Sequence, residues 1–368
     1  MALFDQEAAH ERRPHNVNPL LSSAHVILAV KNFAAIPGVC HIGLGVTAEN
    51  TMKVLRKHGI FAEAWPAQTS KELWRKLAFA ETHHRGTPIS HVVVSAPSWV
   101  QPEAFKNFCL RWPETHFVQL NHSGCAYLSI DKHGIRNIRE VGHLSLSLHN
   151  LSVAFNNERP QDFVTHGLES DCLYLPNLYD PDGFVTPFHT EKLNGTLRVG
   201  SFGASRPWKN QLTAAEAAVM LAHKLGTRLE LYVNTKRPDG GERMIESRRE
   251  IFHRMRGCEL IEVPWELWPK FRKTVARMHI LFSPSFDETF NVVTADGIAE
   301  GVPSVVTSAI EWTPDFWWCD PCSPESIVRV AMCLLHDPRD AVEAARKKLR
   351  AFVAAGIEHW KQFLTRPA

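Results

Sequence analysis

Strand and helix patterns alternate along most of this chain, and no other feature constrains its fold as much. In the first half, strand patterns lie at residues 24–30, 61–65, 91–96 and 116–120, and residues 91–96 form a continuous apolar run typical of a buried parallel strand. Helical patterns between them lie at residues 47–57, 70–82 and 102–112. Thr47 is the expected cap of the first helix, and a further helix and strand are expected within residues 145–170. Repeated strand–helix–strand units predict a parallel, doubly wound sheet.

The same alternation begins again after a dense turn signal at residues 176–183. Strand patterns follow at residues 197–202, 229–233, 260–263, 280–283 and 303–307. We predict two Rossmann-like domains that face a central cleft, at residues 1–190 and 191–350, and a C-terminal helix at 351–368 that could return to the first domain. Ligands of such sheets bind outside the carboxyl ends of the strands, so the cleft is the expected site.

The composition fits two ordinary domains. The chain has 368 residues, 44% of them apolar, and a formal net charge of only +2, which does not call for a polyanionic partner. No apolar run approaches the roughly 20 residues of a membrane span, and the N-terminus has no signal-peptide pattern. Eight irregularly spaced cysteines are typical of reduced thiols. We therefore expect a cytoplasmic protein.

The segment at residues 282–303 holds the strongest functional pattern. A buried strand is followed by a polar turn with Glu288 and then by a helix that ends at Gly301. We expect the helix to begin near Thr289–Asn291, where free backbone N–H groups and the helix dipole form a seat for a diphosphate. Asp296 lies eight residues after Glu288, so the two acids could bind two hydroxyl-bearing parts of one long ligand. The alternative is a capping acid and a solvated helix acid.

A second segment carries two basic residues, Arg206 and Lys209, in the loop after the first strand of the second domain. The planar fork of arginine and the point charge of lysine both suit phosphate oxygens. Phosphates usually bind at this place in an α/β unit. A diphosphate contact is one interpretation of this loop, and a solvated basic loop is the other.

These segments resemble those of a known family. Residues 279–308 are similar to the donor-binding motif of the retaining, glycogen-synthase-like GT-B glycosyltransferases (family 4, group 1), roughly P-S-x-x-E-x-F-G-x-x-x-x-E-A-x-A-x-G-x-P-V-V. Residues 197–210 resemble their V-G-R-x-x-x-x-K-G strand and loop, and residues 172–180 their V-x-V-I-P-N-G-V-D segment. Residues 320–338 are similar to the D-P-x-x-x-A helix that follows. The resemblance implies an α/β, GT-B fold with two Rossmann-like, doubly wound parallel sheets.

The resemblance also implies roles for single residues. Glu288 would contact the donor sugar and Asp296 the ribose of the nucleotide. Arg206 and Lys209 would bind the diphosphate. His122, at the end of the fourth strand, would face the reaction centre, so His122 and Glu288 are the candidate catalytic residues.

Further donor-binding residues follow from the same resemblance: Gly43, Gly45, Thr289, Phe290 and Asn291. The two glycines belong to a Gly-rich loop that approaches the phosphates in this family. The chain departs from the family pattern at three places. Asp296 stands in place of glutamate, which shortens the reach to the ribose, Asn291 stands in place of glycine, and the basic loop differs in length.

The expected activity is that of an EC 2.4-class, hexosyltransferase-like enzyme. It would transfer a sugar from a UDP- or GDP-linked donor to a hydroxyl acceptor, with retention of configuration. Neither a cofactor nor a metal is expected. Asp180-Pro181-Asp182 falls at the domain junction and is not a convincing metal triplet, and fixed positive groups would stabilise the departing diphosphate. A glycan, a lipid-linked glycan, a protein and a modified nucleobase remain open as acceptors, as does the oligomeric state.

Two other classes of function stay open. A sugar-nucleotide epimerase of the GT-B fold would bind the same donor but would need acid and base groups in the cleft. A non-catalytic nucleotide-sugar-binding protein would keep Arg206 and Lys209 without needing the two acids.

Two further patterns have a structural interpretation and a functional one. The charged helix at residues 242–256 is expected to present a solvated face, with an acceptor-binding surface as the alternative. Trp312, Trp317 and Trp318 are expected in the core, with an aromatic platform for a sugar or a base as the alternative.

Overall fold

The structure is a computed structural model that describes residues 19–31, 43–83, 87–95, 99–131, 133–167, 172–182, 193–237 and 239–366. The strands of the first sheet, β1–β6, are His25–Lys31, Phe61–Ala67, His91–Ser95, His116–Asn121, Leu151–Phe155 and Cys172–Tyr174. The helices of this half, α1–α7, are Pro19–Ser22, Gly43–Lys57, Ser70–His83, Pro102–Arg111, Cys125–Leu128, Gly134–Ser145 and Glu158–Gly167. We call this part of the molecule the first-sheet unit.

The second half of the chain forms a second sheet with its own helices, which we call the second-sheet unit. Its strands, β7–β11, are Thr196–Ser201, Arg228–Asn234, Cys258–Val263, Ile280–Ser283 and Ser304–Val306. Its helices, α8–α13, are Gln211–Leu225, Glu242–Phe252, Trp268–Val275, Val292–Glu300, Pro324–His336 and Pro338–Leu364. Two short 3-10 helices are Pro207–Lys209 and Asp315–Trp317.

The strand order of both sheets is that of a doubly wound fold. All strand pairs are parallel, in the orders β2-β1-β3-β4-β5-β6 and β11-β10-β7-β8-β9. In the second sheet the order reverses between β7 and β10, and such a reversal leaves a crevice at the carboxyl ends of the two strands. Val199 on β7 pairs with Ile280 on β10, which brings the loops after these strands side by side. The predicted α/β fold with two Rossmann-like parallel sheets is confirmed.

Strand β1 shows why the first-sheet strands read as continuous apolar runs. Val26 and Leu28 pack into the apolar cluster on one face of the sheet, while Ile27 and Ala29 pack into the cluster on the other face. Side chains of a strand alternate between faces, so a sheet covered on both sides needs apolar residues at every position. Helices therefore cover both faces of the first sheet.

Helix α13 belongs to both units. Its first part places Ala341, Ala345 and Leu349 in the core of the second-sheet unit. Its last turns place four apolar side chains in the core of the first-sheet unit: Ile357, Trp360, Phe363 and Leu364. Trp360 also donates from its indole nitrogen to the carbonyl oxygen of Pro176 at 2.9 Å. A single helix of 27 residues thus connects the two cores.

Among the local expectations, the capping role of Thr47 was wrong. Thr47 does not cap helix α2, because the helix begins at Gly43 and Thr47 is buried in its second turn. The strand and the helix expected within residues 145–170 are β5 and α7, with the strand first. The charged helix α9 presents the expected solvated face, although Arg248 on its other side is buried and donates to Ser205 Oγ at 2.9 Å. Trp312 and Trp317 are buried in the core, as expected.

The described helices include none that is both long enough and apolar enough to cross a membrane.

Candidate active site

The loops after β7 and β10 form one structural unit at the reversal point of the second sheet. The side-chain amide of Asn210 donates to the carbonyl oxygen of Pro284 at 3.1 Å. The backbone amide of Phe286 donates to the carbonyl oxygen of Trp208 at 2.8 Å. The two segments that the sequence analysis treated separately therefore form a single site.

Glu288 is fixed by three donors, all of which contact Oε1. The Lys209 ammonium is in direct contact with it, Ser285 Oγ donates at 2.8 Å, and the Asn291 amide donates at 3.0 Å. The side chain is 8% exposed. A carboxylate can accept about four hydrogen bonds, so Oε2 keeps its capacity for a ligand. The acid is held in position by the protein itself.

Helix α11 begins at Val292, later than the expected start near Thr289–Asn291, because Asn291 caps it. Asn291 has a left-handed backbone, with φ at 63°, and its side chain accepts from the Thr294 amide at 3.0 Å. A positive φ explains the glycine of the family pattern, and asparagine both tolerates this conformation and caps helices well. The substitution of asparagine for glycine therefore keeps the local backbone. Thr289 and Asn291 precede the helix instead of forming its first turn.

Two helix N-termini pack close together at the cleft. A Cβ placed on Gly43, the first residue of α2, would lie 3.9 Å from Val292 Cγ2 at the start of α11. Gly43 lines the cleft, whereas Gly45 is not among the described residues that line it. Both glycines lie in the first turn of α2 and not in a loop, and residues 37–42 of the expected loop lie outside the described residues. Two positive dipole ends at one point suit an anion.

His122 lies directly after β4 and lines the cleft from the first-sheet side. The Asn156 amide nitrogen donates to its Nδ1 at 3.2 Å, which places the ring proton on Nε2. Nε2 is buried and has no hydrogen-bond partner among the described residues. Burial lowers the pKa of His122 to about 4, so the ring is neutral near pH 7. The site therefore offers a neutral N–H donor that faces no protein acceptor.

Asp296 is buried in α11, and its surroundings differ from those of a solvated helix acid. The Tyr179 hydroxyl donates to its Oδ1 at 2.7 Å and the Trp268 indole donates to the same oxygen at 2.9 Å. Oδ2 has no hydrogen-bond partner among the described residues. Burial is the main cause that raises its pKa to about 6. Asp296 lines the second part of the cleft, and its contact with a ribose stays a prediction.

Arg206 lines the cleft next to an arginine that the sequence analysis missed. Asp239 accepts from Arg206 Nη2 at 2.8 Å and pairs with Arg237 Nε at 3.2 Å. Both arginines line the two parts of the cleft. Asp239 therefore holds two cations together at the edge of the site. Arg237 lies in the loop after β8.

The cleft has two adjoining parts that share Lys209, Glu288, Thr289 and His122. The part toward the second sheet is lined by Phe202, Trp265, Trp268 and Phe271, among others. The part toward the first sheet is lined by polar and aromatic side chains that include Asn121, Ser123, Tyr127, Asp131 and Asn137. The shared residues lie where the two parts meet. The geometry can hold an elongated ligand on one side and a second, polar ligand on the other.

Phe290 contributes to the core beside the cleft, since its ring lies 5.2 Å from that of Trp312 and it is 3% exposed.

Within the described ranges, no group of three or more His, Cys, Asp or Glu residues could hold a metal ion.

Solved structures of similar fold cover nearly the whole chain. The UDP-forming α,α-trehalose-phosphate synthase of Burkholderia xenovorans is 10% identical, with a TM-score of 0.62 over 93% of this chain and 98% of that one. The catalytic domain of starch synthase IV from Arabidopsis thaliana, bound to ADP and acarbose, is 9% identical, with a TM-score of 0.64 over 93% and 100%. Anabaena HepE, in complex with UDP and glucose, is 16% identical, with a TM-score of 0.57 over 92% and 98%.

The sequence comparisons add no relative. No protein-family model matches the chain, and no curated protein matches it. The likeness therefore lies in the three-dimensional structure. The chain has the GT-B fold, and the resemblance to GT-B glycosyltransferases that the motifs indicated is confirmed at the level of the fold.

Proposed function

We propose that this protein is a glycosyltransferase that transfers a sugar from a nucleotide-diphosphate sugar to a hydroxyl acceptor. The observation that carries the proposal is the convergence at the reversal point of the second sheet. Arg206, Lys209 and Glu288 meet there beside the start of α11, and His122 faces them from the other unit. Cations for a diphosphate, an acid for a sugar and a neutral donor thus line one cleft.

The donor would lie along the part of the cleft toward the second sheet. Its diphosphate would lie beside the two adjacent helix N-termini, where Arg206 and Lys209 also line the cleft. Its nucleoside would extend toward the aromatic lining and Asp296. The similar structures of HepE in complex with UDP and of starch synthase IV bound to ADP support a nucleotide as the ligand. We propose a UDP- or GDP-linked donor.

The chemistry follows from where charge develops. As the bond between sugar and diphosphate breaks, the sugar becomes oxocarbenium-like and the diphosphate gains negative charge. Lys209, Arg206 and the first amides of α11 would stabilise that charge without a metal, because they are fixed before the reaction. The acceptor hydroxyl would attack from the leaving-group face, which gives retention. Glu288 Oε2 and the N–H of His122 would hold the sugar in place.

The acceptor would enter the part of the cleft toward the first sheet. Its lining of amides, a hydroxyl and a carboxylate, with the ring of Tyr127, suits a ligand that carries several hydroxyl groups. This supports an acceptor of glycan type over the protein and nucleobase alternatives. Donor turnover with added glycans, compared with turnover in their absence, tests the preference.

A screen of nucleotide sugars by thermal shift identifies the donor. A ligand at 100 times its Kd stabilises the folded protein by about 2.7 kcal/mol, so the true donor raises the melting temperature while other nucleotide sugars do not. Turnover of that donor then separates the three classes of function. A glycosyltransferase gives a new glycoside, an epimerase gives an isomeric donor without an acceptor, and a binding protein leaves the donor unchanged.

Lys209→Ala and Arg206→Ala test the assignment of the site. Each should weaken donor binding by the contribution of a charge-assisted hydrogen bond, on the order of 1.5–3 kcal/mol. Lys361→Ala is the control, because Lys361 forms a surface ion pair with Glu358 and neither residue lines the cleft. Wild-type binding and turnover in both site variants would show that the diphosphate binds elsewhere.

A further inference from the structure

The residues that flank Glu288 contact the residues that follow His122 across the boundary between the two units. Asp287 Oδ2 accepts from the backbone amide of Ala126 at 2.8 Å. Thr289 Oγ1 donates to the carbonyl oxygen of His122 at 3.2 Å. Direct hydrogen bonds between the two units therefore lie next to both candidate catalytic residues, His122 and Glu288.

The Ala126 amide has an unusual partner. Ala126 is the second residue of the short helix α5, and the first backbone amides of a helix have no acceptor within that helix. The residue before α5, Gly124, provides no side-chain cap. The acceptor comes instead from Asp287 in the other unit. The helix start is thus completed only when the two units are together.

Gly124 leaves room for this contact. A Cβ placed on Gly124 would lie 2.3 Å from Asp287 Oδ2 and 2.6 Å from Oδ1, far inside van der Waals distance. Its φ of −73° is open to any residue, so the backbone does not require glycine here. Space for the Asp287 carboxylate is the feature that an alanine would remove. Asp287 would have to rotate away and give up the Ala126 amide.

We propose that Asp287 is a positioning residue, which holds the first-sheet unit closed against the donor motif and so sets His122 opposite Glu288. The expected effect on turnover rests on the proposed function. The contact between Asp287 and Ala126 does not depend on that function. Asp287 lines the part of the cleft toward the first sheet, but the role proposed here is its bond to Ala126, which needs no contact with the donor. Closure of this kind excludes water and completes the site, and an error of about 1 Å in position can slow a reaction by roughly 100-fold.

Hydrogen exchange at Ala126 reports the contact directly in the full-length protein. Asp287→Ala should speed exchange of this amide by roughly tenfold or more, as expected for loss of a bond to a charged group. Glu311→Ala is the matched control, since its half-exposed ion pair with Arg159 also joins the two units but lies in a solvated setting. Unchanged exchange in Asp287→Ala would overturn the proposal, whether or not the protein transfers sugar.

Turnover distinguishes positioning from a merely local bond. Asp287→Ala should lower kcat by tenfold or more and leave the affinity for free UDP or GDP, measured by calorimetry, within about twofold. Asp287→Asn, which keeps an oxygen acceptor, should recover part of the loss. Faster Ala126 exchange with a wild-type kcat would refute the positioning role. A wild-type protein without any turnover would contradict the proposed function, and the exchange result would still decide the closing contact.

The pair with Gly124 provides the sharpest test. Gly124→Ala should resemble Asp287→Ala, because both lose the same contact. The double variant should then be no worse than Asp287→Ala, since the carboxylate that meets the new methyl group is gone. Additive losses in kcat would mean that Gly124→Ala acts through another defect, and would overturn the assignment of Gly124 to this contact.

Discussion

Replacing Tyr179 with phenylalanine removes one hydroxyl from the surroundings of Asp296 and keeps the ring that packs there. The Tyr179 hydroxyl donates to Asp296 Oδ1 at 2.7 Å, both residues are buried, and Trp268 remains as the second donor. A hydrogen bond to a charged group contributes about 1.5–3 kcal/mol, and one between neutral groups about 0.5–1.5 kcal/mol. The cost of the substitution therefore depends on whether Asp296 is ionised.

The pH at which Asp296 ionises sets the size of that cost. Its folded-state pKa, about 6, lies above its usual value of 3.8 because the carboxyl is buried. Asp296 thus contributes stability below its usual pKa, and this contribution is lost as the pH rises through 6, at a cost of about 3 kcal/mol. The Tyr179 bond offsets part of that cost only in the ionised state. We expect Tyr179→Phe to lower the free energy of unfolding by about 2 kcal/mol at pH 8 and by about 1 kcal/mol at pH 5.

Urea unfolding of the wild type and Tyr179→Phe at the two pH values measures the difference. Tyr232→Phe serves as the control, because the Tyr232 hydroxyl donates at 3.0 Å to Glu230, an acid whose side chain is 30% exposed. Its cost should stay below about 1 kcal/mol at both pH values. Equal costs of Tyr179→Phe at pH 5 and pH 8 would refute the reasoning, since they would mean that Asp296 does not change its charge between them.

Three other results are expected. Glu288→Gln should cut sugar transfer sharply and leave the affinity for the free nucleoside diphosphate nearly unchanged. Asp296→Asn should instead weaken binding of the nucleoside diphosphate and of the donor alike. Both affinities are measured by calorimetric titration, and equal weakening in the two variants would contradict the assignment of Glu288 to the sugar and Asp296 to the ribose. Sugar transfer should continue in excess EDTA, because fixed positive groups stabilise the departing diphosphate in place of a metal. If EDTA abolishes transfer and manganese or magnesium restores it, that mechanism is wrong. The free energy of unfolding should fall as the pH drops from about 6.5 toward 4. The cause is that burial lowers the pKa of His91, His116 and His122 to about 4, while the same histidines take up protons in the unfolded chain. A urea midpoint that is unchanged between pH 7 and pH 4.5 would contradict this prediction.

Local patterns predict the sheets well because strands buried on both faces leave continuous apolar runs. The same patterns give helix starts less accurately. α2 begins four residues before Thr47, and α11 begins after Thr289, since capping depends on backbone angles that spacing does not reveal. Helix α5 has only four residues, too few to show any periodicity.

Some residues of the candidate site could be predicted from the sequence, and others could not. Arg206, Lys209 and Glu288 lie in the segments that follow strands β7 and β10, so strand positions and motif spacing were enough to find them. Asn156 orients His122 and Tyr179 contacts Asp296, and each lies far from its partner in the chain. Spacing carries no signal for such pairs. A polar residue directly after strand β5 was the one available clue to Asn156.

The two-core helix α13 means that the first-sheet unit is not a self-sufficient folding unit. Burial of a large apolar side chain contributes about 1.5–3 kcal/mol, so the four side chains that α13 places in the first core contribute roughly 6–12 kcal/mol together. That is comparable with the whole stability of a typical domain, about 5–15 kcal/mol. A ribosome releases those four residues after all the strands of both sheets. The first-sheet unit therefore keeps an open apolar groove until the second-sheet unit has also been synthesised.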